Sequence, residues 1–191
     1  MRTLHIALIA ACCLPLAAEV PAAPRPSPEF VIQHGKDVQT LLSSYRGKVV
    51  CLEFLYTTCP HCQAASRTMG KLYTEFGARG FQPVGVAFNE MADVLIGDFV
   101  NLNQVNYPIG YASRDSVLTY MGISAVERFV VPQLIWIDRK GVIRSQTPAI
   151  GDEKMLGEPY WREMLETLLK EPGPGAKKAP AHKPAAPRKA A

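Results

Sequence analysis

Cys59 and Cys62 form a CxxC pair, and this spacing indicates redox chemistry. Two intervening residues bring both sulfur atoms onto one helical turn, close enough for a disulfide. Pro60 suits the first turn of a helix because proline has no N–H group to leave unpaired there. The free N–H groups and the dipole of that turn favour a thiolate at Cys59. We therefore predict that Cys59 attacks and that Cys62, which points inward, resolves the mixed disulfide.

His61 lies between the two cysteines and is the third predicted catalytic side chain. A nearby imidazolium, or a hydrogen bond from it, would stabilise the Cys59 thiolate. A stabilised thiolate means a stabilised reduced form and therefore a more oxidising disulfide. The alternative for His61 is an exposed helix residue without a role.

A zinc half-site is the metal-binding alternative for the same cysteines. Structural zinc needs four ligands, and neither a second CxxC nor a His-x-x-x-His follows. His34 and His182 lie in different sequence contexts. We predict neither a metal nor another cofactor.

The segment around the pair has the pattern of a β-α-β unit. Residues 49–56 are nearly all apolar, as in a central strand buried on both faces. A helix is predicted over residues 59–76, and Gly77 can end it. Residues 81–88 form the next strand, so the two strands are expected to be parallel with a right-handed crossover.

Further elements follow in the order helix, helix, hairpin, helix. Helices are predicted over residues 93–105 and, capped by Ser113, up to residues 121–122. Strands over residues 134–137 and 142–145 flank a turn and form an antiparallel hairpin. A C-terminal amphipathic helix is marked by Trp161, Met164, Leu165, Leu168 and Leu169. The order indicates an α/β fold.

Glu53 is a single acidic residue inside the apolar run 49–56. A carboxylate in a buried strand is costly and calls for a functional reason. The alternatives are a glutamate aimed at the end of the sheet or paired with a lysine. Cys51, on the same strand, is expected to pack as a small apolar residue.

Three segments together resemble the thioredoxin superfamily: residues 47–54, residues 58–62 and residues 131–141. They are most similar to its exported TlpA/ResA-like thiol–disulfide oxidoreductases, over roughly residues 30–170. The resemblance implies a thioredoxin fold, with a central mixed β-sheet flanked by helices. It also implies protein thiols and disulfides as substrates, and a membrane or periplasmic electron donor or acceptor as a second partner.

The same resemblance implies three residue roles. Pro132 matches the cis-proline that faces the CxxC pair, and the backbone of Val131 would pair with a substrate strand. The alternative is a trans-proline at a strand start. Glu53 matches the buried acid that relays a proton to the resolving cysteine, here Cys62.

The chain departs from the family pattern in two places. Thr57 and Thr58 stand where a tryptophan usually precedes the first cysteine, and residues 124–130 are longer than is common. The latter segment carries Glu127, Arg128 and Phe129 and could select substrates. These changes leave the substrate and the direction of electron flow open, since His61 favours an oxidant or an isomerase whereas the scaffold resembles reductases.

Two other functions remain as alternatives. A peroxiredoxin shares the fold, but it should carry Pro-x-x-x-Thr/Ser-x-x-Cys, and Leu52 and Tyr56 occupy the Pro and Thr positions ahead of Cys59. A copper-delivery module on the same fold would resemble CxxxC with a distant histidine. The CxxC spacing argues against it.

Both ends of the chain differ from the middle. Residues 1–22 have a basic start and a short apolar run, as in a signal peptide, so export to the periplasm or to the outer side of the cytoplasmic membrane is expected. A buried N-terminal helix is one alternative. A lipobox ending at Cys12 is another, and membrane contact is expected only with that lipid.

The flanking segments are rich in proline. Residues 23–29 are predicted to be a stiff, disordered linker, and residues 30–170 the thioredoxin-like domain. Residues 171–191 are a basic Pro/Ala/Lys tail that cannot bury enough apolar surface to order itself. The net charge of +4 lies largely in this tail. We predict a solvated tail and no nucleic-acid partner.

Overall fold

The structure of the protein is a computed structural model, and it describes residues 20–174. Most of the predicted signal segment and most of the basic tail lie outside the described residues. The described part is an eight-stranded sheet with helices on both faces. None of the helices within residues 20–174 is long and apolar enough to cross a bilayer.

The sheet has the strand order β1-β8-β7-β4-β5-β6-β2-β3. Its strands are β1 (Arg25–Pro26), β2 (Val31–Gln33), β3 (Gln39–Leu41), β4 (Val49–Leu55), β5 (Phe81–Ala87), β6 (Ile109–Tyr111), β7 (Gln133–Ile137) and β8 (Val142–Gln146). Strands β4, β5 and β6 are parallel, whereas β7 runs antiparallel to both β4 and β8. The sheet is therefore mixed, as predicted.

Within residues 20–174, four α-helices and two short 3-10 helices complete the fold. The α-helices are α1 (Pro60–Phe76), α2 (Ala92–Asn103), α3 (Arg114–Met121) and α4 (Glu158–Lys170), and the 3-10 helices are Leu42–Tyr45 and Gly77–Arg79. Helices α1, α2 and α4 cover one face of the sheet, and α3 covers the other. Each face has its own apolar core.

Strand β4 lies at the centre, and all seven of its residues are buried. Its side chains alternate between the two cores because successive residues of a strand point to opposite faces. Cys51 and Leu55 pack on the α1 side, and Leu52 and Phe54 pack on the α3 side. Glu53 shares the parity of Cys51 and therefore points toward α1.

The predicted helices and long strands are confirmed, with ends displaced by a few residues. Ser113 caps α3 by accepting a hydrogen bond from the backbone N–H of Ser116, and Gly122 ends that helix with a φ of 70°. Helix α2 begins at Ala92 and ends at Asn103, slightly earlier than the predicted 93–105. Strands β1, β2, β3 and β6 were not predicted because two or three residues are too few to show a period.

The prediction of a disordered linker over residues 23–29 is wrong. Arg25 and Pro26 form β1, which pairs antiparallel with β8. The Ser27 hydroxyl lies 2.8 Å from the Tyr120 hydroxyl, which ties the segment to α3. The edge of β8 offers unpaired backbone groups, and an extended proline-rich segment can add there because an edge strand tolerates proline.

Candidate active site

Cys59 lies at the junction between β4 and α1. It is the N-cap residue of α1, with an extended backbone (φ −83°, ψ 119°), and Pro60 follows within the first turn. Its side chain is half-buried, and its sulfur lies 3.8 Å from the carbonyl oxygen of Val131. The sulfur therefore sits at a helix N-terminus and remains accessible from outside, as an attacking thiolate requires.

Cys62 lies in the first turn of α1 and is fully buried. Burial above all raises the pKa of the Cys62 thiol, and the neighbouring Cys59 and Glu53 raise it further, while a hydrogen bond with the Tyr56 backbone opposes the change. Because the thiolate is the nucleophile, Cys62 needs a base that accepts its proton. Cys51, Cys59 and Cys62 are all free thiols.

The turn that leads into Cys59 is held by Asn89, which follows β5. Asn89 Oδ1 accepts a hydrogen bond from the Thr57 backbone N–H at 2.9 Å, and Asn89 Nδ2 donates to the Thr57 hydroxyl at 3.0 Å. Gln63 also donates to the Thr57 carbonyl. Sequence reasoning missed Asn89, although a polar residue just after a parallel strand, at the edge where β4 also ends, is the signal that points to it.

A loop with a cis peptide bond between Val131 and Pro132 faces the sulfur of Cys59. The prediction of a cis bond there is confirmed. Pro132 is buried and Val131 is half-buried. The pairing of β7 with β4 begins at Gln133, so the backbone of Val131 lies outside the sheet ladder.

Gln133 anchors this loop from behind and was missed by sequence reasoning. Its side-chain amide is fully buried and donates to the carbonyls of Val130, Pro148 and Ala149 at 2.9, 3.1 and 3.1 Å. Its oxygen accepts a 2.7 Å hydrogen bond from the Thr147 hydroxyl. Every polar atom is thus satisfied, which is the condition for burying an amide. The loop is held in one position relative to Cys59.

Glu53 is fully buried beneath α1 and meets two hydroxyl groups. The Ser66 hydroxyl lies 3.0 and 3.1 Å from the two carboxylate oxygens, and the Tyr107 hydroxyl donates to Oε2 at 2.8 Å. Burial raises the pKa of Glu53 to about 7, while the hydrogen bonds from Tyr107 and Ser66 lower it. A lysine partner and a position at the sheet end, the two alternatives, are both wrong.

His61 is exposed and lines a cleft of about 550 Å³ between α1, the Val131–Pro132 loop and the start of α4. The floor of the cleft is mainly apolar, with Leu156 and Trp161 among its lining residues. The cleft opens next to the cysteine pair. It can receive part of an extended chain that lies along the loop.

A second groove, of about 380 Å³, lies on the other side of the same loop. Phe129 from the predicted substrate-selecting segment stacks on Phe88, with ring centroids 6.0 Å apart, and the Arg114 guanidinium lies 5.5 Å from the centre of the Phe129 ring. The segment is therefore packed beside Val131. Its position fits contact with a bound substrate.

Comparison with known proteins places this geometry in a family. The model of the AhpC/TSA family matches residues 24–146, which is more than half of the chain. The chain belongs to the AhpC/TSA family. The thiol–disulfide oxidoreductase ResA of Bacillus thuringiensis (strain Al Hakam) is 24% identical over 145 residues, or 76% of this chain and 75% of the relative. ResA of Geobacillus kaustophilus (strain HTA426) is 27% identical over 119 residues, or 62% and 65%.

Solved structures support the same fold. A putative thiol:disulfide interchange protein DsbE from Chlorobium tepidum has a TM-score of 0.63 at 21% identity, covering 76% of this chain and 96% of that protein. A putative protein disulfide isomerase from Bacteroides thetaiotaomicron has a TM-score of 0.65 at 23% identity, covering 81% and 94%. The predicted thioredoxin fold is confirmed, and so is the predicted enzyme class, a thiol–disulfide oxidoreductase.

In this AhpC/TSA family member, the positions ahead of Cys59 do not form the peroxidase motif. Leu52 is fully buried at the middle of β4, on the face opposite α1. Tyr56 packs its ring 4.6 Å from that of Phe88. Position 52 is not a proline and position 56 is neither a threonine nor a serine, which weakens the peroxiredoxin alternative.

Proposed function

We propose that this enzyme is exported and exchanges disulfides with protein substrates, with Cys59 attacking and Cys62 resolving. The observation that carries the proposal is the contrast between the two sulfur atoms. Cys59 is accessible at the N-terminus of α1 and faces the Val131 carbonyl, whereas Cys62 is fully buried one turn inside. A substrate disulfide can reach the first sulfur but not the second.

In the reducing direction, the Cys59 thiolate attacks one sulfur of a substrate disulfide. The substrate S–S bond breaks, a new S–S bond joins Cys59 to the substrate, and the other substrate sulfur leaves as a thiolate that takes up a proton. The pair of electrons passes from the enzyme thiolate to the leaving sulfur.

Resolution then consumes the second thiol. Cys62 gives its proton to the carboxylate of Glu53 and attacks the sulfur of Cys59. The mixed disulfide breaks, the second substrate sulfur leaves and is protonated, and the Cys59–Cys62 disulfide forms. The substrate has gained two electrons and the enzyme has lost two. The same steps run backwards when the enzyme oxidises a dithiol.

Binding of the substrate is assigned to the loop that faces Cys59. A substrate strand that pairs with the backbone of Val131, next to Pro132, brings its disulfide to the Cys59 sulfur. The two grooves on either side of this loop provide apolar surface for the neighbouring side chains. This arrangement supports an unfolded or extended protein segment as substrate.

Export is proposed from the N-terminal segment alone. A signal peptide over residues 1–22 would deliver the domain to a compartment that permits disulfides. The electron donor or acceptor is then a membrane or periplasmic protein. Contact with the membrane itself is proposed only for a form lipidated at Cys12.

Turnover with two substrates tests the proposed chemistry. The protein is assayed for reduction of insulin disulfides by dithiothreitol and, separately, for consumption of hydrogen peroxide. We expect catalysis with insulin, its loss in Cys59→Ser and Cys62→Ser, and its retention in the matched control Cys51→Ser. Peroxide consumption that depends on Cys59, without insulin reduction, would support the peroxiredoxin alternative instead.

A further inference from the structure

We infer that Tyr107 and Ser66 are positioning residues of the redox site, which hold the Glu53 carboxylate behind Cys62 and determine how readily it accepts the Cys62 proton. The inference rests on the proposed role of Glu53 as the proton acceptor. It extends that role to two hydroxyl groups that lie on different elements and belong to no recognisable sequence motif.

The first support is the geometry of the carboxylate. Its two oxygens receive three close contacts, at 3.0 and 3.1 Å from the Ser66 hydroxyl and at 2.8 Å from the Tyr107 hydroxyl. Glu53 and Ser66 are completely buried, and Tyr107 is 6% exposed. A carboxylate placed in a core without such donors would carry the full cost of desolvation.

The second support is the position of Ser66 relative to Cys62. The two residues are four apart on α1, so they lie on the same face of the helix, one turn from each other. Because Ser66 touches Glu53, this spacing places Cys62 one helical turn from the point of contact. The proton of Cys62 therefore has a short route to the carboxylate.

Tyr107 approaches from a different side. It lies between α2 and β6, and its ring belongs to the core beneath α1. Burial and the nearby Glu53 raise the pKa of Tyr107 well above its ordinary value, so its hydroxyl stays protonated and keeps donating. The carboxylate is thus held between α1 and the segment that leads into β6.

The other titratable groups facing Glu53 are two thiols. Cys51 lies two residues away on β4, and Cys62 lies on α1; burial raises the pKa of both, so both are neutral at neutral pH. Within residues 20–174, Glu53 forms no ion pair with a lysine or arginine. The charged form of Glu53 is therefore stabilised chiefly by the two hydroxyl donors, in opposition to burial.

Removing one donor should shift the pH dependence of the resolving step. In Tyr107→Phe and Ser66→Ala, the charged form of Glu53 loses a hydrogen bond, so a higher pH is needed to ionise it. A net hydrogen bond of ordinary strength corresponds to about one pH unit. The midpoint of the pH–rate profile for the resolving step should then rise by about one pH unit in each variant. The resolving rate at pH 7 should fall about fivefold.

The experiment is a stopped-flow measurement of Cys59–Cys62 disulfide formation from pH 5 to 9, in the full chain with a small aromatic disulfide as oxidant. Tyr111→Phe is the matched control, because Tyr111 lies on β6 and its hydroxyl contacts the Gly35 carbonyl instead of Glu53. Its midpoint should equal that of the wild type. Circular dichroism and thermal unfolding verify the fold of each variant, and Ser66→Ala carries the test if Tyr107→Phe does not fold.

Two outcomes would overturn the inference, and they are distinguishable. A wild-type inflection that is lost in Glu53→Gln but stays in place in both folded variants shows that the hydroxyls are only structural, while leaving Glu53 as the proton acceptor. A wild-type profile without any inflection, identical to that of Glu53→Gln, removes the proton-acceptor role and the inference with it. An equal shift in Tyr111→Phe would also contradict the specific role of Tyr107.

Discussion

The sulfur of Cys59 lies 3.8 Å from the carbonyl oxygen of Val131, across the mouth of the site from the loop that ends in Pro132. Side chains from other segments hold both residues in these positions. Asn89 fixes the turn that leads into Cys59, and Gln133 fixes the loop that carries Val131. The distance between the Cys59 sulfur and the Val131 carbonyl thus depends on one half-buried and one buried side-chain amide.

Weakening the hydrogen bonds of Gln133 should slow the reduction of large substrates more than that of small ones. The Thr147 hydroxyl donates to Gln133 and accepts from the Leu134 backbone N–H at 3.0 Å, and Thr147→Val removes both contacts with little change in shape. We expect a loss of about 1–3 kcal/mol in the free energy of unfolding. We also expect slower reduction of insulin, with an unchanged rate toward a small aromatic disulfide. Equal losses with both substrates would show that Thr147 does not act through the loop.

Neutralising Glu53 should slow disulfide exchange without unfolding the domain. Glu53 accepts a proton only when it is ionised, and its pKa is raised to about 7, so the resolving rate should increase with pH through about 7 and then level off. In Glu53→Gln this inflection should disappear, and the rate at pH 7 should fall. A rate and pH profile identical to the wild type would mean that Glu53 is structural.

Glu53 should also make the stability of the fold depend on pH. Burial raises its pKa to about 7 in the folded state, against 4.5 in the unfolded chain. Below pH 4.5, Glu53 is protonated in both the folded and the unfolded state. Between pH 4.5 and 7 it is protonated only in the folded state. The free energy of unfolding therefore decreases as the pH rises through this range, by on the order of 3 kcal/mol. Above pH 7 the loss is complete. Urea unfolding of wild type and Glu53→Gln from pH 4 to 8 measures the difference, and parallel curves would contradict the burial effect.

His61 should tune the redox potential of the cysteine pair. A cationic or hydrogen-bonding imidazole next to Cys59 stabilises the thiolate and raises the potential above the thioredoxin value of about −270 mV. His61→Gly and His61→Pro should lower it, by about 30 mV for each 1.4 kcal/mol of lost stabilisation. Because His61 is exposed, solvent screening keeps the shift in redox potential small. Equilibration with glutathione measures the potential, and His34→Gln is the control. A wild-type potential at or below about −270 mV that does not change in the His61 variants would indicate a plain reductase.

The parts of the site that could be predicted are those with a local signature. Strand β4 and helix α1 are long and strongly patterned, so the CxxC pair could be placed between them, and Glu53 stood out as one acid in an apolar run. Ser66 and Tyr107 could not be found in this way. They lie 13 and 54 residues from Glu53, and only the packing of α1 and of the segment before β6 onto β4 brings them to it.

The same limit explains Gln133 and the proline-rich segment. Gln133 looks like an ordinary strand residue, and its role depends on three carbonyls supplied by two loops. Residues 23–29 contain nothing that predicts a strand, yet the open edge of β8 orders Arg25 and Pro26. In both cases the partner lies far away along the chain, where local pattern carries no information.

The division of labour between the two cysteines is tested most directly by trapping the mixed disulfide. Cys62→Ser and Cys59→Ser, each also carrying Cys51→Ser, are incubated in the reduced form with a protein substrate that contains a disulfide, and the products are analysed by non-reducing electrophoresis and mass spectrometry. Because Cys59 is accessible and Cys62 is fully buried, Cys62→Ser should accumulate a covalent complex through Cys59, and Cys59→Ser should accumulate almost none. Equal trapping by the two variants, or trapping through Cys62 alone, would contradict the assignment of Cys59 as the attacking thiolate.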